Sequence, residues 1–349
     1  MNAFEALPVQ TMGMLTVEQL KEAWTRSESL TFGDPTLSRT PLPLQRTFYP
    51  LGFPLSIHTN SERVMEIAET VWSGFDKLSA VEPISVHIGV TEGGSSICPP
   101  APVCRMREQM CSNIADAENF LISDFAQSFS FGWVNQATLE HESYFRYFFL
   151  ESAAMGQIAN RRAWGVHAAC VELDGAGVLL CGDSGAGKST LSYGCARAGW
   201  TFITDDGSYV VDGRDDRLVV GNCYQARFRP ESERFFTELN GGTVTQRMDA
   251  SKPSIEFSTA ASQRLITSPT SRVRHIVFLN RNTPEHVLVS FPTEVARLYL
   301  LQWASFVPNV RRRQETMFDR LLDAGVYELR YTDLSWGIAR LSRLAREGC

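Results

Sequence analysis

The sequence predicts an α/β fold with a mixed sheet around a phosphate-binding loop, together with a smaller α+β N-terminal domain. Gly182–Thr190, read as GDSGAGKST, matches the pattern G-x-x-x-x-G-K-[ST] at every fixed position. A short apolar run, Val178–Cys181, precedes this segment and predicts a buried strand, and a helical pattern follows it. Asp174-Gly175 predicts a tight turn, so the strand before the loop is expected to form a hairpin with an earlier strand.

The first part of the chain predicts an arm followed by a small domain. A helix over Leu15–Arg26 and a passage rich in Pro, Ser and Thr are typical of an arm over residues 1–44. Alternating and helical hydrophobic patterns then predict an α+β domain over residues 45–140. We expect ordered structure to begin near Tyr49.

Aromatic residues are frequent between Phe120 and Phe149, which is compatible with a ligand-binding box or with a hydrophobic core. Aromatic side chains bury large areas in ordinary cores, so the core is the favoured interpretation. From Glu142 onward they fall in a helix predicted to end near Arg162. This helix would open the nucleotide-binding domain over residues 141–349.

Composition excludes several classes of partner. The chain has 349 residues, 44% hydrophobic and 21% charged, as is typical of a globular protein. A net charge of -6 gives no basic surface for nucleic acid, and no apolar run reaches the roughly 18 residues of a membrane span. We therefore expect a cytoplasmic protein with no nucleic-acid or membrane partner, and homo-oligomer formation stays open.

The loop residues predict how a nucleoside triphosphate such as ATP would bind. Glycines let backbone N–H groups turn toward phosphate oxygens, Lys188 supplies positive charge, and the Ser189 hydroxyl suits Mg²⁺. The residues expected to bind the nucleotide are Gly182, Asp183, Ser184, Gly185, Ala186, Gly187, Lys188, Ser189 and Thr190.

Asp205 and Asp206 follow the next apolar strand and are expected to emerge beside the triphosphate. One carboxylate would hold Mg²⁺ and the other would accept a proton from an attacking hydroxyl. The alternative is a turn with two solvated acids, which is the interpretation we give to Asp215-Asp216.

The ordered set of these features resembles the catalytic domain of HPr kinase/phosphorylase. The resemblance runs from about Trp164 to Val211 and includes the hairpin, the loop GDSGAGKS and the paired aspartates. That family shares a phosphate-loop core with phosphoenolpyruvate carboxykinase. The resemblance implies ATP, Mg²⁺ and phosphoryl transfer to a serine hydroxyl.

The resemblance also implies residue roles. Lys188 would bind phosphates, Ser189 and Asp205 would serve the metal, and Asp206 would be the base. His167 would stand near the transferred phosphoryl group, although a lone histidine in an apolar strand is more often a core residue.

The chain departs from the family at two points. Thr190 stands where the bifunctional enzymes have glutamate, and the glycine-rich signature E-[IV]-R-G-L-G-I is absent. We therefore expect an acceptor other than HPr.

Four later basic residues are candidates for contacting the transferred phosphoryl group, with Lys252 the first to test. They are Arg227, Arg229, Lys252 and Arg281.

The sequence leaves three functions open. The favoured one is an ATP- and Mg²⁺-dependent kinase acting on serine in a protein or peptide. The others are a nucleotide-responsive binding module and a kinase for a small hydroxyl compound such as free serine.

Overall fold

The computed structural model describes residues 16–26, 40–240, 243–246, 253–259, 264–305 and 307–348. The helices are α1 (Val17–Thr25), α2 (Glu62–Trp72), α3 (Gln136–Glu140), α4 (Glu142–Phe145), α5 (Ser152–Arg161), α6 (Lys188–Arg197), α7 (Thr293–Leu301), α8 (Pro308–Leu321) and α9 (Leu334–Glu347). Lys252 and Leu15, which bear on two of the predictions, lie outside the described residues.

The first sheet follows the order β1-β2-β3-β7-β6-β5-β4. Its strands are β1 (Leu44–Phe48), β2 (Leu55–Thr59), β3 (Ile84–Thr91), β4 (Val103–Arg107), β5 (Met110–Ile114), β6 (Phe120–Asp124) and β7 (Phe129–Asn135). β2, β3 and β7 run parallel, and the remaining pairs are antiparallel. Alternate side chains of β2, such as Leu55 and Ile57, are fully buried against a core that includes α2.

One expectation for this region is wrong, and one hairpin was not predicted. Ordered structure begins before Tyr49, because β1 pairs Leu44 with Thr59 and α1 is capped by the Thr16 side chain. The hairpin of β4 and β5 also escaped prediction. Every residue of β4 is exposed, so the hydrophobic alternation that marks a half-buried strand is absent from its sequence.

The aromatic stretch forms core, as favoured above. α4 continues through a π-helical segment, Arg146–Glu151, into α5, so one helical stretch runs from Glu142 to Arg161. Phe145 and Phe149 on it are completely buried beside the first sheet. The same core includes Val220 of the second sheet, so the boundary at residues 140/141 stays a prediction.

The second sheet is mixed and holds the phosphate-binding loop. Its strands are β8 (Ala163–Leu173), β9 (Ala176–Cys181), β10 (Thr201–Thr204), β11 (Gly207–Val211), β12 (Leu218–Gly221), β16 (Ile266–Thr267), β17 (Thr270–Asn280), β18 (Val287–Ser290) and β19 (Gly325–Arg330). β8 and β9 form the predicted hairpin, in which Asp174 and Gly175 both have positive φ, as a type I′ turn requires. β9 is parallel to β17.

Helices cover both faces of this sheet. On one face, Leu300 of α7 and Phe318 of α8 are fully buried in a core with Ile276. On the other, Leu191 of α6 and Leu341 of α9 are buried in a second core. This layered arrangement confirms the α/β fold class.

A small third sheet lies beside α6 and has the order β13-β15-β14. Its strands are β13 (Gln225–Phe228), β14 (Thr243–Gln246) and β15 (Pro253–Ser258). Across the described ranges of the chain, no helix has the length and apolar character needed to cross a bilayer.

Candidate active site

The geometry of the phosphate-binding loop depends on its glycines. Gly187 has φ 97° and is the N-cap of α6, where no side chain caps the helix. The first backbone N–H groups of α6 therefore stay available for an anion. Gly182 has φ 147°, and a Cβ there would lie 2.9 Å from the Cβ of Ala186. A side chain at either position would distort the loop.

A cavity of about 330 Å³ opens in front of this loop, and we call it the phosphate cavity. Six of the nine predicted loop residues line it: Ser184, Gly185, Gly187, Lys188, Ser189 and Thr190. The other three shape the loop from behind. Carbonyl oxygens of Gly182 and Asp183 accept hydrogen bonds from Lys188, and the Ala186 N–H donates to the Asp183 carbonyl over 3.0 Å.

Pairing within the second sheet brings the sequence-predicted residues together. The last pair between β8 and β9 joins Ala168 to Cys181, where β9 ends and the loop begins. His167 of β8 therefore lies beside the start of the loop. On its other side β8 pairs with β10 and then with β11, and Gly207 lies opposite His167. Asp206, which precedes Gly207, is thereby placed beside His167.

Lys188, His167 and Asp206 form a chain of contacts at the wall of the phosphate cavity. The Nζ of Lys188 lies 3.0 Å from Nε2 of His167, and Nδ1 of His167 lies 3.2 Å from Oδ1 of Asp206. The Lys188 ammonium is a donor only, so Nε2 accepts and the imidazole proton resides on Nδ1. Nδ1–H then donates to the Asp206 carboxylate, which orients it.

Lys188 is buried, with 6% of the residue exposed. Burial lowers the pKa of its ammonium from the usual 10.5, and attraction by Asp206 offsets this only in part. Its Nζ donates to the carbonyl of Gly182 over 2.7 Å and to that of Asp183 over 3.2 Å. A phosphate beside the loop would offer this charge an anionic partner in place of neutral carbonyls.

The two neighbouring aspartates differ in position. Asp205 is buried, and its Oδ2 accepts a hydrogen bond from the backbone N–H of Arg227 over 3.1 Å. Asp205 thus ties the end of β10 to β13. It lines a second, larger cavity, whereas Asp206 lines both that cavity and the phosphate cavity.

The described candidate arginines have different surroundings. Arg229 donates from Nη2 to the Ser184 hydroxyl over 2.9 Å, and a Cβ at Gly187 would lie 3.3 Å from Cδ of Arg281. These two arginines thus flank the loop. Arg227 also lines the cavity, but its guanidinium lies 3.0 Å from Glu256.

Sequence reasoning missed two residues of this site. The Tyr299 hydroxyl lies 3.0 Å from the carbonyl oxygens of both His167 and Gly182, and the Gly182 N–H donates to it over 3.2 Å. Burial raises the pKa of Tyr299 to about 12, so it is protonated at neutral pH. Arg234 lines the phosphate cavity. No motif marks either residue, and the contacts of Tyr299 span more than one hundred positions, which leaves no local pattern.

The donor set around the loop suits Mg²⁺. A serine hydroxyl and carboxylate oxygens are hard ligands, and Mg²⁺ ordinarily keeps several waters and phosphate oxygens besides one or two protein ligands. Within the described part of the chain, no group of three or more His, Cys, Asp and Glu side chains is placed to hold a metal. Ser189 and Asp206 line the phosphate cavity, whereas Asp205, the predicted metal ligand, lines the second cavity.

Comparison with known proteins confirms the resemblance to HPr kinase/phosphorylase. The HPr kinase/phosphorylase of Latilactobacillus sakei is 42% identical over 68 residues, which is 20% of this chain and 21% of that protein. The HPr kinase/phosphorylase of Limosilactobacillus reuteri is 36% identical over 136 residues, which is 39% of this chain and 36% of that protein. Over this part of its length the chain is similar to HPr kinase/phosphorylases. It spans between a fifth and about a third of the length of these relatives, and no family model matches it.

A solved structure also matches part of the chain. The HPr(Ser) kinase/phosphatase from Coxiella burnetii covers 53% of this chain and 99% of its own, with 14% sequence identity and a TM-score of 0.28.

Proposed function

We propose that this protein is an ATP- and Mg²⁺-dependent kinase that transfers the terminal phosphoryl group of ATP to a hydroxyl group. The proposed acceptor is the hydroxyl of a serine in a protein or peptide other than HPr. The observation that carries the proposal is the contact chain from Lys188 through His167 to Asp206 beside the phosphate-binding loop. The partial similarity to HPr kinase/phosphorylases supports a kinase.

In the proposed reaction, Asp206 accepts the proton of the attacking hydroxyl. The hydroxyl oxygen forms a bond to the γ-phosphorus, the bond from that phosphorus to the β–γ bridging oxygen breaks, and ADP leaves. His167 holds the Asp206 carboxylate through Nδ1–H. Lys188, Arg229 and Arg281 would neutralise charge on the phosphates.

The metal assignment rests on the loop and the aspartate pair. Ser189 would hold Mg²⁺, and Asp205 stays the predicted second ligand. Mg²⁺ would neutralise charge on the outer phosphates. As part of this proposal we place the protein in the cytoplasm, where ATP is available.

The test is ATP binding by calorimetry with and without Mg²⁺, followed by label transfer from γ-labelled ATP to serine-containing peptides. We expect Mg²⁺-dependent binding and phosphoserine in the product. Absence of ATP binding would overturn the proposal. Binding without transfer to any peptide, protein or free serine would instead identify a nucleotide-responsive binding module.

A further inference from the structure

Three cavities meet at Asp206. The first is the phosphate cavity, and the other two have volumes of about 520 Å³ and 420 Å³. Both larger cavities fall within the size range of ligand sites, roughly 300–1,000 Å³. The residues common to these two are Met106, Asn160, Asp206, Gly207 and Tyr209. Because these residues line both cavities, the two cavities adjoin at Asp206, and we call the pair the acceptor cleft, with Asp206 where its two parts meet.

The larger part of this cleft, which we call the apolar arm, lies between the first sheet, the helix from Glu142 to Arg161 and the second sheet. Its apolar side chains include Leu51, Val71, Trp72, Phe75, Phe125, Phe148 and Met155. The charges in this arm have partners within the protein, since Arg227 lies 3.7 Å from Glu151. The arm is therefore suited to a bulky apolar group.

The smaller part, which we call the Trp303 arm, runs past His167 on the other side of the shared residues. Gln302, Trp303, Ala304, Ser305 and Gln314 line it. The ring centroid of Trp303 lies 5.3 Å from that of His167, and 51% of Trp303 is exposed. The surface that lines this arm is mainly apolar, as it is in the apolar arm.

The position of Asp206 within the cleft limits the form of the acceptor. The attacking hydroxyl must come within about 3 Å of the Asp206 carboxylate while the γ-phosphate comes from the phosphate cavity. A compact molecule that fills one arm would leave the other empty. A chain that carries its hydroxyl at an interior position would occupy both arms while that hydroxyl lies at Asp206.

We propose that the acceptor is a serine within an extended peptide segment, which lies along the cleft and places a bulky apolar side chain in the apolar arm. This inference rests on the proposed function and specifies its substrate. An apolar residue near the serine gains affinity by leaving water for the apolar arm. A serine on the surface of a folded protein lacks neighbours that can enter both arms.

The test uses fluorescein-labelled nonapeptides with a central serine in a Gly/Asn background. One set carries Phe at each position from three before to three after the serine, and a matched set carries Glu. Polarisation in the presence of a non-hydrolysable ATP analogue measures peptide binding without turnover. We expect one Phe position to bind at least tenfold more tightly than its Glu counterpart.

Variants of β4 locate the binding site. Met106 is 53% exposed on an edge strand, so Met106→Trp narrows the cleft without disturbing a core. Val103 on the same strand points to the opposite face, and Val103→Trp is the matched control. We expect Met106→Trp to weaken peptide binding about tenfold and leave ATP affinity unchanged, whereas Val103→Trp changes neither.

The outcomes separate this inference from the proposed function. Two results would overturn the proposal of an extended-peptide acceptor even if phosphoryl transfer occurs. One is a peptide affinity that does not depend on the position of Phe, and the other is a peptide affinity that Met106→Trp leaves unchanged. Transfer to free serine or to a folded protein as efficient as to the best peptide would overturn it as well. Failure of ATP binding would overturn the proposed kinase, whatever the peptides do.

Discussion

The phosphate cavity and the acceptor cleft share Asp206 but are assembled from different parts of the chain. Six residues of one continuous motif line the phosphate cavity, and they are joined by His167 and several arginines. The acceptor cleft draws on residues from Leu51 to Gln314, with no motif among them. A site for a common ligand such as a triphosphate thus has a local sequence signature, whereas the site for a particular acceptor depends on how distant segments pack.

Electrostatics differ between the two in the same way. In the phosphate cavity the buried charge of Lys188 is held by neutral carbonyls and a histidine, and burial lowers its pKa. Beside the cleft, Glu256 is paired with two arginines, Arg146 at 2.5 Å and Arg227 at 3.0 Å, and Arg227 itself lines the cleft. Uncharged groups thus hold Lys188 in the phosphate cavity, whereas an opposite charge holds Arg227 at the wall of the cleft.

The largest expected effect comes from the residue that both regions share. Asp206→Asn removes the proposed proton acceptor but keeps a group of the same size beside His167. General base catalysis contributes about 10²–10⁴-fold, so we expect kcat for peptide phosphorylation to fall by about 10³-fold. Asp215→Asn is the matched control, since Asp215 is 89% exposed and pairs with Arg320 on the surface. Unchanged label transfer in Asp206→Asn would remove it from the mechanism.

The next effect concerns the walls of the cleft. Burial raises the pKa of Glu256, but the hydrogen bonds and charges of Arg146 and Arg227 outweigh burial and hold it below the usual value. Glu256→Gln leaves two partly buried arginines poorly compensated, and loss of one partner of such a pair costs about 3 kcal/mol in the free energy of unfolding. Chemical denaturation at pH 7 measures this loss.

The lowered pKa of Glu256 also predicts how the free energy of unfolding changes with pH. A carboxyl with a lowered folded-state pKa stabilises the protein above its unfolded pKa, about 4.5, and this is lost as pH falls through the folded value. Glu256→Gln should therefore flatten the acid side of the stability profile. Burial raises the pKa of Glu151, so Glu151→Gln should cost less than half as much at pH 7. Equal losses for the two variants would contradict this account of the cleft.

The third prediction separates binding on the two sides. Lys188→Met should weaken ATP binding by about 30-fold, since charge-assisted hydrogen bonds contribute about 2 kcal/mol. It should leave peptide binding by the cleft within twofold, and Lys77→Met, at an exposed position, should change neither. Calorimetry with ATP and peptide polarisation report the two separately. A parallel loss of peptide binding would mean that the two regions are not independent.

The same variant has a stability consequence. The lowered pKa of Lys188 means that folding disfavours its charged form. The unfolded chain therefore binds more protons between the folded pKa and about 10.5, and stability rises with pH across that window. At neutral pH the folded protein bears the full free-energy cost of burying the charged ammonium of Lys188. Without nucleotide, the Lys188→Met protein should therefore unfold at the same temperature as the wild type or at a higher one.

The smallest effect is expected from Tyr299, whose hydroxyl contacts the first residue of the phosphate-binding loop. Tyr299→Phe removes the hydroxyl that joins His167 and Gly182, and a hydrogen bond of this kind contributes about 1 kcal/mol. We expect a loss of up to about tenfold in kcat/KM with KM for ATP and kcat both affected. Tyr144→Phe removes a comparable hydroxyl that donates to the Pro100 carbonyl, far from the loop, and should have no effect on activity. Activity equal to wild type in Tyr299→Phe would leave that residue no positioning role.

Sequence reasoning reached the nucleotide side well because its signals are local. The hairpin turn at Asp174-Gly175 and the glycines of the loop need positive φ, and that requirement is visible in residue type. The burial of aromatic residues after Glu142 was likewise predictable, because aromatic side chains bury large areas in ordinary cores. The strand β4 could not be predicted, because an exposed edge strand has no hydrophobic alternation in its sequence.

The different positions of two adjacent acids lay beyond any local pattern. Asp205 and Asp206 are the same residue type at the end of one strand, so only the family resemblance, and no local pattern, gave them different roles. One turns toward the backbone of Arg227 and the other toward His167, because β8 changes partner from β10 to β11 at this point. That change of partner depends on pairing between strands more than thirty residues apart.

Residue order alone predicted the α/β fold class, the phosphate-binding loop motif and the resemblance to HPr kinase/phosphorylase. These features rest on backbone conformation, hydrophobic periodicity and a short motif, all of which act over a few residues. The acceptor cleft, Tyr299 beneath the loop and the distinction between Asp205 and Asp206 arose from packing. Contacts between distant segments set them, and the free energy of such contacts depends on shape and burial in the folded chain rather than on any neighbour in sequence.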